Sequence, residues 1–292
     1  MTARLTFVHA LSPLHAGTGQ GAGVIDLPIA REKATGLPFL PGSSLKGTLR
    51  ARCSAQECKQ VFGPDTAEVQ TDSNHASSAQ FSDQRLLLLP IRSLAGTFAW
   101  ITSPYVLRRL ARDIEDAQIT PPTTPIPDVE TTGTCTIATN TSKIKIDMPE
   151  LKVYLEDLEL NAQISVGAKT WAEWISQRVF PNDTVWQQML IERMCIVHDD
   201  VFNFMIDTAT EITARIKLQE ESKTVQEGGL WYEEALPTET ILSGIALATP
   251  TKTSGITIVK VFEVLQELTG KTLQFGGKAT VGRGMCRVQL AG

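Results

Sequence analysis

Apolar and polar residues alternate most regularly along residues 212–218. The apolar positions are Ile212, Ala214, Ile216 and Leu218. Side chains two residues apart lie on the same side of a strand, so this pattern predicts a half-buried strand whose apolar side packs on the core. Residues 80–93 and 97–102 centre on apolar runs and predict fully buried strands. Residues 151–166 are also expected to be extended.

Helical spacing of apolar residues appears in several other segments. The predicted helices span residues 45–53, 105–113, 184–196, 201–209 and 256–269. Ser103 followed by Pro104 is typical of a helix start, and Gly270 is typical of a helix end. The expected N-caps of the first and fourth helices are Ser43 or Ser44, and Asp199 or Asp200.

The order of these elements predicts an α+β domain with an antiparallel sheet, such as a ferredoxin-like core. Strands and helices do not alternate regularly enough for a doubly wound parallel sheet. Residues 63–79 are polar, and residues 117–150 are rich in Pro, Thr and Asp. Both segments are predicted to be insertions or long loops within one domain of residues 1–292.

Composition restricts the possible functions only in part. The chain has 42% hydrophobic and 20% charged residues, typical of a globular protein. Its 27 basic and 32 acidic residues give a net charge of −5. Because nucleic-acid-binding domains are usually basic, RNA binding would require local basic patches or partners that share in neutralising phosphate.

Targeting and redox signals are weak. The first residues lack the pattern of a signal peptide, and no apolar run approaches the roughly 18 residues of a membrane span, so a cytoplasmic protein without membrane contact is expected. The five cysteines are scattered, which predicts free thiols in a reducing compartment. Cys53 and Cys58 are predicted to be thiols on a helix, because their spacing to His75 is poor for zinc.

Two glycine-rich segments are candidates for binding sites. The first, at residues 15–23, nearly matches a dinucleotide fingerprint at Gly17, Gly19 and Ala22. That motif requires a following helix, whereas residues 24–28 favour an extended chain, so a mobile loop or a loop approached closely by RNA backbone are the alternatives. The second, at residues 276–284, interleaves glycines with cations and could cradle phosphate, or could be a tight hairpin with solvated charges.

These segments together resemble one known family. The N-terminal L-H-x-G-x-G, the segment LPFLPGSSLKGTLRARC and the terminal GGKATVGRG resemble the RAMP superfamily of CRISPR proteins. With PYVLRRLARD, EGGLWYEEALP and FGGKATVGRGMCRV, the chain resembles the backbone subunit of the type III-B CRISPR (Cmr) effector complex. The resemblance covers both ends and much of the middle, and is weakest over residues 63–79 and 117–150.

The resemblance implies an architecture and a set of partners. The fold would be an RRM-like palm with a fingers insertion and a thumb β-hairpin at about residues 213–236. Several copies would stack head to tail in a helical filament along a guide CRISPR RNA, with target RNA and other Cmr subunits as further partners. The residues placed at RNA are Gly17, Gly19, Ser43, Lys46, Arg50, Leu230, Trp231, Lys278 and Arg283. An apolar wedge at Leu230 and Trp231 would flip one nucleotide per repeat; the alternative is core packing of a strand end.

The resemblance also implies cleavage of the paired target RNA. Asp26 would lie beside the flipped nucleotide, as a ligand of Mg²⁺ or Mn²⁺ or as a proton acceptor. His15 would contact phosphate or assist proton transfer, unless it is only a satisfied loop residue, and Glu227 could come from a neighbouring copy. A scaffold that binds guide RNA without cutting, and a nucleotide-dependent enzyme, are the competing hypotheses.

Two other acidic positions have weaker chemistry. The cluster at His198, Asp199 and Asp200 resembles a metal site, but helix capping explains it better because consecutive side chains diverge. Asp83, on a predicted buried strand, is expected to be a buried carboxylate without an assigned role.

Overall fold

The computed structural model describes residues 1–19, 21, 23–53, 57–64, 76–147, 149–219, 221, 224–250 and 255–292. Its strands are β1 (Thr2–Ala10), β2 (Phe39–Leu40), β3 (Ala79–Phe81), β4 (Gln84–Arg92), β5 (Phe98–Thr102), β6 (Thr134–Ile137), β7 (Lys145–Asp147), β8 (Leu151–Leu155), β9 (Leu158–Ile164), β10 (Met194–Val197), β11 (Glu211–Leu218), β12 (Val225–Ala235), β13 (Ile241–Ala248), β14 (Leu273–Gln274) and β15 (Met285–Ala291). Its α-helices are α1 (Gly42–Arg52), α2 (Glu57–Phe62), α3 (Pro104–Asp116), α4 (Val166–Val179), α5 (Thr184–Arg193), α6 (Asp199–Ala209) and α7 (Ile258–Thr269). A 3₁₀ turn covers Ala279–Val281.

A large mixed sheet organises the fold. Its main path of neighbouring strands is β14-β15-β1-β13-β4-β5-β10-β6-β9-β8-β7, with β2 and β3 paired to β4 and β13. Most pairs are antiparallel, but β10 pairs with β5 and β6 with β9 in parallel. The α+β class is therefore confirmed, and the prediction of a wholly antiparallel sheet is wrong. Hairpin β11–β12 forms a separate two-stranded sheet.

The core lies between this sheet and the helices packed on it. On β1, Leu5, Phe7 and Val8 are all almost completely buried, as expected for a central strand between β13 and β15. Trp100 on β5 is fully buried and donates its indole N–H to the carbonyl oxygen of Glu239 at 2.8 Å. Full burial of one large apolar side chain stabilises the fold by about 1.5–3 kcal/mol.

Several predicted helix boundaries are confirmed and others shift. Ser103 caps α3 with Pro104 at its first position, and Gly270 follows the end of α7. The first helix begins at Gly42, whose N–H donates to Asp83 Oδ1 at 2.9 Å. Asp83 is exposed and caps this helix, so the predictions of a buried Asp83 and of a serine cap are both wrong. The N-cap of α6 is His198, so the prediction that Asp199 or Asp200 caps this helix is wrong.

Tertiary packing overrides the local pattern in three further places. The predicted helix over residues 184–196 ends at Arg193, and the chain continues as β10 in the centre of the sheet. The segment 117–150, predicted to be an insertion or loop, contributes β6 and β7 to the same sheet. Residues 76–79 of the other predicted loop lead into β3, whereas residues 65–75, including His75, lie outside the described part of the chain.

The cysteines also depart in part from expectation. Cys53 and Cys58 have Cα atoms 5.8 Å apart and are joined as a disulfide, so the prediction of free thiols is wrong for this pair. The other three cysteines are buried free thiols.

Hairpin β11–β12 reverses the expected burial. Residues 211–218 form a strand as predicted, but Ile212 and Ile216 are 53% and 52% exposed. Leu230, directly opposite Ile216 on β12, is 53% exposed. The hairpin therefore presents its apolar side to solvent, and its polar alternate positions include the residues that hold it to the rest of the fold.

No helix in the described part of the chain combines the length and the apolar character that a membrane span needs.

Candidate functional site

The two glycine-rich segments meet at His15. The Gly277 N–H donates to the His15 carbonyl oxygen at 3.0 Å, and the imidazole of His15 lies between the segments with 6% of the residue exposed. Beside this contact a cleft of about 620 Å³ opens between the loops and α1. It is lined by His15, Ala16, Gly17, Gly19, Leu27, Pro41, Ser44, Gly47, Thr48, Gly276, Gly277 and Lys278. Residues far apart in the sequence thus form one concave surface.

Two of these glycines are required by the packing of His15. A Cβ atom on Gly17 would lie 2.5 Å from His15 Nε2. Gly276 has a φ of +72°, and a Cβ there would lie 2.2 Å from the His15 carbonyl oxygen. Close packing around His15 therefore explains these glycines, without any need for a ligand.

Replacing Gly276 with alanine is expected to destabilise the fold by at least 2 kcal/mol, because a left-handed backbone costs about 1–2 kcal/mol for an L-residue and the clash adds to it. Thermal or urea unfolding would measure the loss. Gly133→Ala is the matched control, since a Cβ there meets nothing within 4 Å. Equal stability of the two variants would contradict the packing explanation.

Asp26 is exposed and attached to β12. Its Oδ2 accepts the Tyr232 N–H at 2.7 Å, and its backbone carbonyl accepts the Gly21 N–H at 2.8 Å. The next residue, Leu27, donates its N–H to the Tyr232 carbonyl at 3.1 Å. The carboxylate is thus fixed in place through one oxygen while the side chain remains accessible to a ligand.

His15 is attached to the same strand. Its Nδ1 lies 2.6 Å from the backbone carbonyl of Glu234, two residues beyond Tyr232. Because a carbonyl only accepts, Nδ1 carries a proton and donates it to this bond, so Nε2 is the ring nitrogen that remains for other partners. Strand β12 therefore brings Asp26 and His15 to neighbouring positions about 7 Å apart along its length.

Glu227 lies farther out on the same hairpin. It is exposed and is five residues from Tyr232, about 16 Å along an extended strand. No hydrogen bond or ion pair in the described residues joins it to Asp26 or His15. A role near Asp26 within one chain is therefore disfavoured, whereas a role toward a neighbouring copy stays a prediction.

The cations of the second glycine segment are held by the hairpin. Lys278, with a φ of 65°, places its Nζ 2.8 Å from Glu233 Oε1. Arg283 is 7% exposed and donates to Thr213 Oγ1 at 3.1 Å. The hypothesis of solvated charges is thus wrong for Arg283, which is too deeply buried to meet phosphate without movement, whereas Lys278 is paired but keeps 32% of its side chain exposed.

Glu233 is the centre of a buried polar cluster that the sequence analysis missed. Its side chain is 2% exposed and also accepts the Trp231 indole N–H at 2.7 Å, with Arg215 Nε at 3.4 Å. Burial raises the pKa of Glu233, but hydrogen bonds from Lys278 and Trp231 and the nearby positive charges outweigh it, and the pKa falls to about 2. Glu233 is therefore ionised and attaches the hairpin base to the second glycine segment.

The α1 side of the cleft is polar. Ser44, Gly47 and Thr48 line it, and Lys46 and Arg50 lie on the same helix one turn apart. Burial lowers the pKa of Lys46, and repulsion by Arg50 lowers it further. A phosphate bound here would relieve that repulsion. Ser43, on the first turn, is exposed.

The alternative that Leu230 and Trp231 pack in the core is wrong for Leu230. Leu230 is 53% exposed, whereas Trp231 is partly buried against Lys278, whose Nζ lies 5.9 Å from the ring centroid. The two side chains project to opposite faces, so Leu230 is available for contact and Trp231 supports the hairpin base.

A dinucleotide site does not fit the first glycine segment. After Gly23 the chain forms isolated bridges at Leu27 and Ile29, and the next helix begins only at Gly42. The helix N-terminus that would face a pyrophosphate is missing from that position.

The structure offers no preformed metal centre among the residues it describes, where no group of three His, Cys, Asp or Glu side chains converges. Two of the side chains at 198–200 act as caps: His198 accepts the Asp200 N–H at 3.2 Å, and Asp199 accepts the Tyr105 N–H in the first turn of α3 at 2.9 Å. Asp26 is a single exposed carboxylate. Mg²⁺ is often held by one or two carboxylates together with substrate phosphates, so Asp26 fits a site that RNA would complete.

Comparison with known proteins defines the class. The model of the RAMP superfamily matches residues 7–287, and the chain belongs to that superfamily. Within it the chain is a homologue of Cmr4: it is 36% identical over 298 residues to the "CRISPR system Cmr endoribonuclease Cmr4" of Pyrococcus furiosus, covering 99% of this chain and 96% of that protein.

Solved structures agree with this assignment. The crystal structure of oligomeric Cmr4 from Pyrococcus furiosus matches with a TM-score of 0.75 and 30% identity, over 100% of this chain and 98% of that one. A chain of the type III-B Cmr-beta complex bound to cognate target RNA matches in fold, with a TM-score of 0.73 at 20% identity over 99% and 97%.

Proposed function

We propose that this protein is the guide-RNA-binding backbone subunit of a type III-B CRISPR complex, and that it cleaves the paired target RNA with Asp26 as the central residue. The observation that supports this most directly is the placement of Asp26, an exposed carboxylate fixed to β12 beside His15. The 36% identity to a protein named Cmr endoribonuclease supports the reaction class.

Guide RNA binds, in this proposal, along the cleft between α1 and the glycine segments. Lys46 and Arg50 supply charge, the exposed Ser43 supplies a donor, and the glycines allow close approach of the RNA backbone. Lys278 and Arg283 are each bonded to the hairpin, to Glu233 and Thr213 respectively. These contacts support a different role for the two cations, which is to fix the shape of the second glycine-rich segment. Neutralisation of phosphate would then fall mainly on α1.

The hairpin β11–β12 is proposed to act as the thumb of a right-hand arrangement with an RRM-like palm and a fingers insertion. Its exposed apolar residues, among them Leu230 and Ile216, suit insertion between stacked bases. The hairpin of each copy would contact the next copy. Repeated copies, together with other Cmr subunits, would therefore assemble as a filament along the guide RNA. Glu227 near the hairpin tip would then lie at a neighbouring copy's site.

Cleavage would depend on orientation. A flipped nucleotide can align its 2′-oxygen with the scissile phosphate, which lowers the barrier by fixing the reacting atoms. Asp26 would accept the 2′-hydroxyl proton or hold a divalent cation, and His15, attached two residues farther along β12, would contact phosphate or assist proton transfer. A bound Mg²⁺ or Mn²⁺ would stabilise the charge that develops on the phosphate.

The test is a reconstituted complex with guide RNA and a labelled complementary target. Cuts at regular intervals in Mg²⁺ or Mn²⁺, and none in EDTA, are expected. Binding of the guide and target without any cut under either condition would favour a non-catalytic scaffold. Absence of guide-dependent target binding would overturn the proposal.

Replacing Lys46 with alanine is expected to weaken guide binding about 10-fold at 150 mM salt and to reduce the slope of log K against log salt by about 0.7 to 0.9, because one phosphate contact is lost. Filter binding over a salt series would measure both quantities. Lys169→Ala is the control, since Lys169 lies on α4 and not on α1, the helix assigned to the guide. An unchanged salt slope for Lys46→Ala would contradict the assignment of α1 to the guide.

A further inference from the structure

Glu234 is a buried carboxylate with both oxygens engaged by the segment that follows Asp26. The residue is 3% exposed. Its Oε2 accepts the Ile29 N–H at 3.0 Å, and its Oε1 lies 2.6 Å from Arg31 Nη2. Two residues, three and five positions after Asp26, are thus fixed by one side chain from β12.

The backbone of Glu234 also bonds to Leu27, next to Asp26, and to the His15 side chain. Its N–H donates to the Leu27 carbonyl at 3.0 Å, and its carbonyl accepts His15 Nδ1–H at 2.6 Å. Leu27 adjoins Asp26, and the bond to His15 determines which imidazole nitrogen is free. A shift of β12 at Glu234 would therefore move the Asp26 segment and the His15 ring together.

Burying the charged Glu234 side chain costs desolvation free energy, and apolar packing at this position would avoid that cost. A buried ion pair can often be replaced by apolar residues without loss of stability. What apolar residues cannot supply is the fixed geometry of directional, charge-assisted hydrogen bonds. Arg31, a quarter exposed, also donates to the Gly36 carbonyl at 3.0 Å and contacts Asp207 at 3.5 Å. The Glu234 carboxylate thus holds a cation that is itself anchored to the following turn.

We propose that Glu234 is a positioning residue for target cleavage: its carboxylate holds the segment that carries Asp26 through Ile29 and Arg31, and its backbone carbonyl holds the His15 ring. The inference rests on the proposed function of Asp26. It assigns no contact with RNA to Glu234 itself. Its consequence is that removing the charge slows the chemical step without weakening the binding of guide or target.

The experiment measures single-turnover cleavage at saturating target in the assembled complex, together with target affinity. Glu234→Gln, which keeps one acceptor oxygen and the shape but not the charge, is expected to slow cleavage about 10- to 100-fold, as expected for a misplacement of about 1 Å, with target affinity unchanged within about 2-fold. Arg31→Ala is expected to give a similar loss. The double variant is expected to be no slower than either single one, because both act through the same contact.

A matched control separates positioning from general destabilisation. Asp113, 4% exposed, pairs with Arg85 between α3 and β4, and among the described residues no hydrogen bond or ion pair joins it to residues 26–31. Asp113→Asn therefore removes a comparable buried charge and is expected to leave the cleavage rate of assembled complexes unchanged. If Glu234→Gln does not assemble, Arg31→Lys, which keeps the cation with fewer donors, tests the same contact and is expected to give an intermediate rate.

The outcomes are distinct from those of the proposed function. A wild-type cleavage rate in assembled Glu234→Gln or Arg31→Lys complexes, or an equal loss in Asp113→Asn, overturns the positioning role. A lower target affinity that accounts for the whole loss also overturns it. If Asp26→Asn cleaves at the wild-type rate, the proposed function fails, whatever Glu234 does.

Discussion

Replacing Asp26 with asparagine is expected to reduce target cleavage at least 1,000-fold while leaving guide and target binding intact. Asparagine can still accept the Tyr232 N–H through its side-chain oxygen, so the local backbone is retained. What disappears is the negative charge that would accept a proton or hold a cation. General-base catalysis alone contributes about 10²- to 10⁴-fold. Single-turnover cleavage of a labelled target in the reconstituted complex measures the loss.

Two comparisons make that result interpretable. Asp157→Asn, at an exposed turn between β8 and β9, changes net charge equally and is expected to cut at the wild-type rate. Asp26→Ala removes the bond to Tyr232 as well, and is expected to be at least as slow as Asp26→Asn. Full activity in Asp26→Asn would move catalysis to another residue or subunit and leave this chain as a scaffold.

The sequence predicted elements well where local pattern and burial agree. Ser103 and Pro104 marked the start of α3, and the apolar runs marked β4 and β5. It failed where pairing partners decide the outcome. Residues 194–196 end a segment with helical spacing, but they lie in β10 between β5 and β6. Residues 134–137 lack any strong pattern but pair in parallel with β9. Such pairings depend on distant strands and cannot be read from a local window.

The apolar alternation of residues 212–218 predicts the strand but not which of its sides is buried. The prediction that the apolar side packs on the core is wrong, since Ile212 and Ile216 are about half exposed. In the structure the polar side includes Arg215, which meets Glu233, and Thr213, which meets Arg283. An exposed apolar strand face is unusual for a monomeric protein and favours a partner for the hairpin.

The candidate site was predictable only through the family resemblance. Composition opposed RNA binding, and Asp26 is one of 32 acidic residues. The two adjacent glutamates on β12 escaped notice because charged residues are usually exposed. A usable signal was present: Glu233 and Glu234 stand between an aromatic pair and an apolar Ala-Leu-Pro segment, where a solvated charge is not expected. Their partners, at positions 31 and 278, come from opposite ends of the chain.

Replacing Glu233 with glutamine is expected to destabilise the fold by about 2 kcal/mol at pH 7, because Lys278 and Arg215 lose their shared counter-ion. The lowered pKa of about 2, against an ordinary value of 4.5, corresponds to about 3 kcal/mol if fully expressed, and the partial exposure of both cations reduces it. Since the folded pKa is depressed, this contribution is complete above about pH 5 and is lost as pH falls from about 4.5 toward 2. Urea unfolding of both proteins at pH 7, 5, 4 and 3 measures it.

The difference in unfolding free energy between wild type and Glu233→Gln should therefore be constant from pH 7 to 5 and should shrink at pH 4 and 3. Glu263→Gln is the control. Glu263 is exposed on α7, its Oε2 lies 3.8 Å from Lys260 Nζ, and the change is expected to alter stability by less than about 0.5 kcal/mol. A loss for Glu233→Gln no greater than the control would show that the cluster does not fasten the hairpin. A loss that persists unchanged at pH 3 would place its origin in packing and not in the ionised carboxylate.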